Sequence, residues 1–461
     1  MKKIVNQKVK EKRNRPMMVL LFGLMMLIAP ISIHAEDHVI AATKSQQEHE
    51  APASLSLSLS EAQDYAIKNN RSLRNASLAV QEAYAQRWQT IAAMLPTVDG
   101  SYSYSNYCGY SAQMKTAMGE FNINMPNVGA LGLTAAIGLN GQGIVGALLN
   151  NIAIDMKKLS LEQSETEIRS SITTSYVSVL IMKDIEQLLD SSLGNIQALA
   201  DMTQKTVDAG AAEQTTADQI KVRINTLKNN INSTKRNTEL ALNSLRVLLA
   251  VPAETELTLT QTVDELLSAE AILKLLGEDF NINNNLNYQM LEKSTELAKK
   301  NVHMAAWAYG PTVSLAYNFT NQQYYGEGGM RMTPPNLVQV TVRMPLWSSG
   351  KRAAGVIEKK IAYEEAKNTL AETTDNLGIQ YQQLRFNLQN AYETYMNEKE
   401  NIAVAERVFE STTNKFKWGA ASNLELTNAS NDLISAQSTY VQAVMTLANA
   451  QVDLEKFLNN K

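Results

Sequence analysis

Three glycines, Gly141, Gly143 and Gly146, stand in the pattern G-x-G-x-x-G. In dinucleotide-binding proteins this pattern follows a strand and opens a helix, so that the backbone can approach a pyrophosphate. A strand is predicted before these glycines and a helix after them, but no second parallel strand follows, and the helix runs far beyond a crossover length. We therefore expect the glycines to turn the chain from a strand into a packed helix, and we expect no cofactor.

Groups that could carry out metal or acid–base chemistry are few. The four histidines are His34, His38, His49 and His303, and the first three belong to a predicted signal and tether. No histidine cluster is therefore expected for a triad or a metal site. The methionines are scattered rather than set at ligand spacing, and most carboxylates fit solvated helix faces. The sequence predicts neither an enzyme nor a metal site, and the single cysteine, Cys108, cannot form an internal disulfide.

Residues 1–35 have the composition of an export signal. Basic residues precede the apolar run 17–33, and Ala35 offers a small residue for cleavage. An uncleaved membrane anchor is less favoured, because the run is short and contains Gly23 and Pro30. The formal net charge is −4 and no strongly basic region lies outside this signal, so a nucleic-acid partner is not expected. No other apolar run is long enough for a membrane helix, so any membrane insertion must use strands.

Four stretches alternate large apolar residues with small or polar ones, which is the pattern of half-buried strands. They lie at 97–105, 131–139, 311–320 and 337–344, and the last two are predicted to form a hairpin. A soluble two-sheet core is one explanation. The small, polar side suits water better, so we predict a β-barrel wall with its apolar side against lipid. The predicted lipid-facing residues are Val98, Tyr102, Leu131, Leu133, Val313, Leu315, Tyr317, Phe319, Val338, Val340 and Val342. Because about eight strands are needed to close a barrel, several chains must build it together.

The remainder is predicted to be mainly helical and internally duplicated. Nearly constant offsets of 215, 207 and 209 residues relate Pro96 to Pro311, Gly143 to Gly350 and Gly210 to Gly419. Each half is predicted as helix, strand, strand, long helix, turn, long helix. The longer helices would reach roughly 100 Å at about 1.5 Å per residue. In the second half, an apolar spacing of four and three predicts a coiled-coil seam.

The predicted organisation has five parts. They are a signal (1–35), a flexible tether (36–57), a first structural repeat (58–252), a connector with a short helix (253–280) and a second repeat (281–461). The first repeat is expected to open with one helix, capped by Ser58 or Ser60 and continuing to Leu95.

Together, these features resemble the TolC-like outer membrane factor (outer membrane efflux protein) family over about residues 57–459. Residues 57–62 (LSLSEA) are similar to that family's opening helix, and residues 344–352 (MPLWSSGKR) to its strand-to-helix junction. The resemblance implies a homotrimer in the outer membrane, in which four strands per chain join a twelve-stranded β-barrel. Long helical hairpins would continue it as a periplasmic α-barrel. The implied partners are a periplasmic adaptor protein, an inner membrane pump or ABC transporter, and outer membrane lipid.

The resemblance also assigns the ends of the helical hairpins. The turns at Gly210 and Gly419 would form the periplasmic tip. Glu425 matches an acidic position that narrows the family's tunnel mouth, and Asn428 stands where the best-known member has a second acid. These two residues, with Thr215, Thr216 and Phe416, make up the predicted constriction.

Three departures from the family pattern affect that mouth. Thr216 replaces an acid, Phe416 a tyrosine and Ala421 an arginine, so the hydrogen bonds and ion pairs of the family's closed mouth cannot all form. We expect packing to close the mouth, with Glu425 contributing a ring of three negative charges that prefers cations. The alternative for Glu425 is an ordinary exposed helix glutamate.

The resulting functional prediction is a passive exit duct, serving drug or small-molecule efflux or type I secretion of proteins. A rival prediction is a non-conducting trimeric coiled coil that tethers the outer membrane, although a tether does not need polar strand faces. A periplasmic adaptor is a third possibility, but its usual β-rich modules are missing from the pattern. The sequence does not identify the cargo.

Overall fold

The computed structural model describes residues 53–116, 119–210, 213–325 and 334–458. The predicted signal and most of the predicted tether lie outside these ranges. The chain divides into two units, Met1–Leu55 with Glu254–Glu256, and Ser56–Ala253 with Leu257–Lys461. In the first unit the Glu256 N–H donates to the Ala53 carbonyl at 3.0 Å. The sheet and the long helices described below belong to the second unit.

Helices dominate the second unit. Over both units, the strands of the described chain are β1 (Ser54–Leu57), β2 (Thr97–Ser105), β3 (Ser111–Thr116), β4 (Gly119–Asn124), β5 (Asn127–Asn140), β6 (Glu256–Leu259), β7 (Thr312–Tyr325) and β8 (Asn336–Arg343). The α-helices are α1 (Leu59–Asn69), α2 (Arg71–Ala92), α3 (Gly141–Asp208), α4 (Gln214–Leu249), α5 (Val263–Leu266), α6 (Ala269–Leu276), α7 (Leu286–Ala306), α8 (Lys351–Lys417) and α9 (Asn423–Leu458).

The first helix begins at the predicted cap. The Glu61 N–H donates to Ser58 Oγ, and the Ser58 N–H donates to Glu61 Oε2 at 2.8 Å, which together form a capping box. The prediction of a single helix up to Leu95 is wrong, because Asn70 divides it into α1 and α2. Asn70 is buried and non-helical, with ψ 127°, and its side-chain oxygen accepts the Ser72 N–H at 2.8 Å to start α2.

Asn285 makes the same contacts at the start of α7. Its side-chain oxygen accepts the N–H groups of Asn287 and Tyr288, and its amide donates to the Phe457 carbonyl at the end of α9. The Asn70 amide likewise donates to the Leu248 carbonyl at the end of α4, at 2.9 Å. In both places a buried asparagine caps one helix and satisfies a terminal carbonyl of another.

The four predicted strands form one antiparallel sheet in the order β2-β5-β7-β8. In the described chain, therefore, β2 and β8 each have a neighbouring strand on one side only. β7 continues to Tyr325, five residues beyond the predicted end. The predicted hairpin of β7 and β8 is confirmed by their antiparallel pairing.

The sequence prediction missed two small sheets. β3 pairs with β4 in a hairpin between β2 and β5. β1 pairs with β6, so the predicted tether ends in a strand rather than in free chain. The connector was predicted to hold one short helix around 263–276, but it holds β6 followed by the two helices α5 and α6.

Two helical hairpins, α3–α4 and α8–α9, contain the longest helices of the described chain. Helices α3 and α8 have 68 and 67 residues, and α4 and α9 have 36 each. At about 1.5 Å per residue the longer pair extends roughly 100 Å. α3 packs against α9, which gives the side-by-side order α4-α3-α9-α8. Nearer the sheet, α2 and α7 pack beside the two long helices, and the side-by-side order is α2-α3-α7-α8. Among the described residues, no helix combines the length and the apolar character required to cross a bilayer.

Candidate functional site

The register of the four-stranded sheet places all eleven predicted lipid-facing residues on one face. Paired residues in antiparallel strands share a face, and the pairs Tyr102–Leu131, Leu133–Phe319 and Tyr317–Val338 join the four strands. The remaining members alternate from these residues along their own strands. Eight of these eleven side chains are more than 40% exposed, namely Val98, Tyr102, Leu131, Leu133, Leu315, Val338, Val340 and Val342. We call this surface the apolar face of the sheet.

The opposite face consists mainly of small and polar residues. It includes Ser101, Thr134, Asn318 and Thr341. Across β5 and β7, the Thr134 hydroxyl donates to the Asn318 side-chain oxygen at 2.9 Å. A surface of this composition can be hydrated at little cost, whereas the apolar face is unfavourable in water.

Aromatic residues lie at the loop end of the apolar face. The rings of Tyr104 and Tyr325 meet edge to face, with centroids 6.0 Å apart. Gly129 eases close packing here, since a Cβ at that position would make a tight contact, 3.3 Å, with the Tyr325 ring. From Val313 to Tyr325, β7 extends roughly 40 Å at about 3.3 Å per residue, or roughly 30 Å along the normal at the usual strand tilt. That height matches the hydrocarbon core of a bilayer.

The dinucleotide-like glycines have a packing function at the other end of the sheet. A Cβ on Gly141 would lie 2.2 Å from the Trp307 ring. The Gly143 N–H donates to Asn140 Oδ1 at 2.6 Å, which caps α3 directly after β5. Glycine is thus needed for close helix packing, and the N-terminal turn of α3 is already capped by a side chain. His303 lies exposed on the last turn of α7. The described residues hold no group of three or more His, Cys, Asp or Glu side chains that could bind a metal ion.

The first helical turn joins α3 to α4. Gly210 has φ 71°, a left-handed conformation that glycine adopts without strain. Glu213 occupies the N-cap of α4, but its side chain makes no capping hydrogen bond. The exposed Thr215 instead donates its hydroxyl to Glu213 at 3.1 Å, and Thr216 is half-buried.

The second helical turn joins α8 to α9 and is held differently. Gly419 also has a positive φ, 69°. Here, however, Ser422 donates from its N–H and its hydroxyl to Glu425 Oε2, at 2.6 and 2.9 Å, and its oxygen accepts the Glu425 N–H at 3.2 Å. The pKa of the Glu425 carboxyl is lowered, mainly by the Ser422 N–H and then by its hydroxyl. Glu425 and Asn428 are both exposed.

One hydrophobic cluster connects all four long helices behind the turns. Its buried members are Leu189, Ile196 and Leu199 from α3, Ile220, Leu227 and Ile231 from α4, Phe409 from α8, and Leu426, Ala429 and Leu433 from α9. Phe416 is partly buried and packs against this cluster. The two turns are therefore coupled through a common core.

Three features of the helical ends and the connector were not predicted from the sequence. Ser422 was overlooked, although Ser422 and Glu425 have the same S-x-x-E spacing as Ser58 and Glu61. The buried anchor Leu426 was also missed. Third, the connector is tied to α8 where Lys399 Nζ donates to Asp264 and to Tyr395 OH, both at 3.1 Å. Hydrogen bonding to Tyr395 and then to Asp264 raises the pKa of the Lys399 ammonium.

The comparisons with known proteins agree with this architecture. The family model for "Outer membrane efflux protein" matches residues 63–251 and 281–460. The chain therefore belongs to the outer membrane efflux protein family: it is an outer membrane protein of an export system, with a periplasmic extension.

The individual relatives are distant but nearly full-length. The chain is 20% identical over 402 residues to toxin and drug export protein A of Aggregatibacter actinomycetemcomitans, covering 84% of this chain and 82% of that one. It is 23% identical over 398 residues to the cation efflux system protein CusC of Escherichia coli O157:H7, covering 81% and 80%. A solved structure of CusC superposes with a TM-score of 0.71 at 18% identity, over 87% of this chain and 91% of that one.

Proposed function

We propose that three copies of this chain form the outer membrane duct of a tripartite export system. Cargo delivered by an inner membrane transporter and a periplasmic adaptor passes through the duct passively. The observation that carries the proposal is the four-stranded sheet, with one apolar face, one small and polar face, and two edges that no other described strand pairs with. A wall between lipid and water requires such a sheet.

Closure by further copies follows from the strand directions. β2, β5, β7 and β8 alternate in direction, so β8 of one copy runs antiparallel to β2 of the next. Head-to-tail pairing of these edges generates a ring and removes every exposed edge. The number of three copies rests on the resemblance to the outer membrane factor family.

The helices support the same seam between copies. α2 and α4 lie on the β2 side of the chain and α8 lies on the β8 side. Both α4 and α8 carry exposed apolar residues, Val222, Leu240 and Val247 on α4, and Ile379, Phe386, Val404 and Val408 on α8. At 100° per residue, each set falls on one stripe of its helix. We infer that α8 of one copy packs against α4 of the next.

An internal duplication accounts for the repeated plan. Asn70 and Asn285 make the same capping contacts at an offset of 215 residues, and their carbonyl partners, Leu248 and Phe457, are 209 residues apart. The same offsets, 215 and 209 residues, relate Pro96 to Pro311 and Gly210 to Gly419 in the sequence. The pattern supports a first repeat at 58–252 and a second at 281–461, joined by the connector 253–280.

The periplasmic mouth is assigned to the turns at Gly210 and Gly419. Its narrow part comprises Thr215, Thr216, Phe416, Glu425 and Asn428, closed by the packing of Phe416 on the common cluster. Trp418 is 88% exposed and Leu424 is 68% exposed beside the second turn. These two apolar side chains provide the contact surface for the adaptor.

Glu425 supplies a ring of three negative charges at this mouth. Glu425→Gln is the sharp test, because glutamine can keep a capping box while losing the charge. We expect the single-channel cation preference to fall and the tip to remain folded. An unchanged cation preference would mean that Glu425 acts only as a helix cap. If Asn428→Ala lost the cation preference and Glu425→Gln kept it, the selectivity would depend on Asn428 and not on Glu425.

The cargo class remains open within this proposal, because relatives of similar identity are named for different cargo, toxins and drugs in one case and cations in another. We propose that drugs, other small molecules or proteins can pass, and that the inner membrane partner selects among them. The rival is the non-conducting tether, which shares the helices but has no use for the polar face.

The experiment is reconstitution of the mature chain in planar bilayers, with its oligomeric mass measured in detergent. The proposal predicts a trimer with discrete conductance steps, which grow more frequent when Phe416→Ala loosens the mouth. A trimer that never conducts, even with Phe416→Ala combined with Glu425→Ala, would favour the tether. A stable monomer would contradict closure by copies.

A further inference from the structure

The two halves of the chain join sheet to helix in different ways. In the first half α3 begins at Gly141, directly after β5 ends at Asn140. In the second half, residues 344–350 separate β8 from α8. This inserted stretch, which we call the junction segment, presents two of the most exposed large apolar side chains described, Leu346 at 87% and Trp347 at 86%.

Hydrogen bonds fix the conformation of the junction segment. Arg352 donates from Nη1 to the Pro345 carbonyl at 2.6 Å and from Nε to Ser348 Oγ at 2.9 Å. The Arg352 guanidinium also lies 5.1 Å from the centre of the Tyr309 ring, a cation–π contact. Ser349 has φ 47°, a conformation that costs a residue other than glycine free energy. The segment is thus held in one shape with Leu346 and Trp347 exposed, which would be unfavourable if water were their final environment.

Continuity with the apolar face of the sheet indicates what covers these side chains. Val338, Val340 and Val342 occupy alternate positions on that face. In the sequence, Met344, which is 61% exposed, and Leu346 continue the same spacing of two beyond the end of the strand. Trp347 follows, and the exposed Lys351 opens α8. An apolar band that ends in tryptophan and then lysine has the composition of a membrane–water interface, where the indole lies at headgroup level and the ammonium reaches phosphate.

We propose that the junction segment is a membrane anchor seated in the periplasmic leaflet, with Leu346 among the acyl chains, Trp347 at the headgroup boundary and Lys351 against lipid phosphate. With Tyr104 and Tyr325 at the other end of the sheet, aromatic residues then bound the apolar face at both interfaces. The anchor fixes the height of each copy in the bilayer. This inference rests on the proposed membrane position of the sheet.

The principal alternative occupant is a neighbouring copy, because β8 is an edge strand and Trp347 lies near its end. Depth-dependent quenching of tryptophan fluorescence separates the alternatives. The chain has four tryptophans, Trp88, Trp307, Trp347 and Trp418. The difference between the wild type and Trp347→Phe, both reconstituted in vesicles of phosphatidylethanolamine and phosphatidylglycerol, isolates the Trp347 signal.

We expect most of the Trp347 signal to be lost when the vesicles contain lipid brominated near the headgroup end of its acyl chains, and little to be lost on adding aqueous iodide. The matched control is Trp418→Phe, because the Trp418 signal should respond to iodide and not to brominated lipid. Quenching of Trp347 by iodide alone would overturn the anchor by placing the residue in water. Quenching by neither agent would overturn it by placing the residue against another copy. Oligomeric mass and conductance, measured on the same preparation, report the proposed duct separately from the anchor.

Discussion

The two helical turns occupy corresponding places in the chain, yet they are stabilised differently. Both have a left-handed glycine, Gly210 or Gly419, and both close over one shared hydrophobic cluster. The second turn adds the capping box of Ser422 and Glu425, whereas the N-cap of the first turn, Glu213, makes no side-chain capping bond. Two contributions therefore stabilise the hairpin ends. Both hairpins share a hydrophobic core, and of the two helices that follow the turns only α9 also has a side-chain cap at its N-terminus.

The largest expected effect comes from the common core. Leu426 is 2% exposed and belongs to the cluster, so Leu426→Ala should destabilise the hairpin ends by about 2–5 kcal/mol. Ile220→Ala, at 2% exposure on α4, should have an effect of the same kind, because the cluster is shared. The loss of local stability is measured as faster amide hydrogen exchange near both turns. Leu424→Ala, at a 68% exposed neighbour, is the control and should change little. Equal effects of Leu424→Ala and Leu426→Ala would contradict the packing.

The cap should give a smaller effect, restricted to one turn. Ser422→Ala removes the acceptor of the Glu425 N–H and should cost about 1 kcal/mol. Glu213→Ala at the equivalent N-cap should be close to neutral, because that side chain makes no capping bond. Hydrogen exchange of the first turns of α4 and α9 compares the two variants. Equal loss of protection in both would show that the caps do not distinguish the turns.

The smallest effect is the pH dependence of the second turn. The folded pKa of Glu425 is lowered below the usual 4.5, so its contribution to stability is fully present above that value and is lost as the pH falls through the folded pKa. Acidification should therefore loosen the start of α9, and Glu425→Gln should remove that pH dependence. Hydrogen exchange between pH 6 and pH 3, corrected for intrinsic rates, checks this. A wild type and a variant with identical pH profiles would refute the assignment.

Local patterns made much of the architecture predictable. The period of two assigned the apolar face correctly because every strand repeats it, and Ser58 with Glu61 identified the first helix start. The division at Asn70 was not predictable locally, since that residue is held by the Leu248 carbonyl 178 residues away. The capping function of Glu425 was predictable from the S-x-x-E spacing of Ser422 and Glu425, but neither the predicted ring of charge nor the alternative of an ordinary exposed glutamate included it.

The exposed junction segment shows a different limit. The sequence 344–352 indicated a strand-to-helix junction, and that is where the structure places it. Its rigid shape, however, depends on Arg352 bonding back to Pro345 and Ser348 and lying over Tyr309 from another element. Contacts between distant parts of the chain decide which apolar side chains remain exposed, and periodicity alone does not report them.

Adjacent residues of β7 report whether the sheet separates lipid from a water-filled lumen. In a Cys108→Ser background, which removes the single native cysteine, Ser314→Cys lies on the polar face and Val313→Cys on the apolar face. A charged, membrane-impermeant thiol reagent is applied while single-channel conductance is recorded. We expect a stepwise fall in conductance for Ser314→Cys and no change for Val313→Cys. The reverse pattern, or modification of both without any change in conductance, would contradict a lumen lined by the polar face.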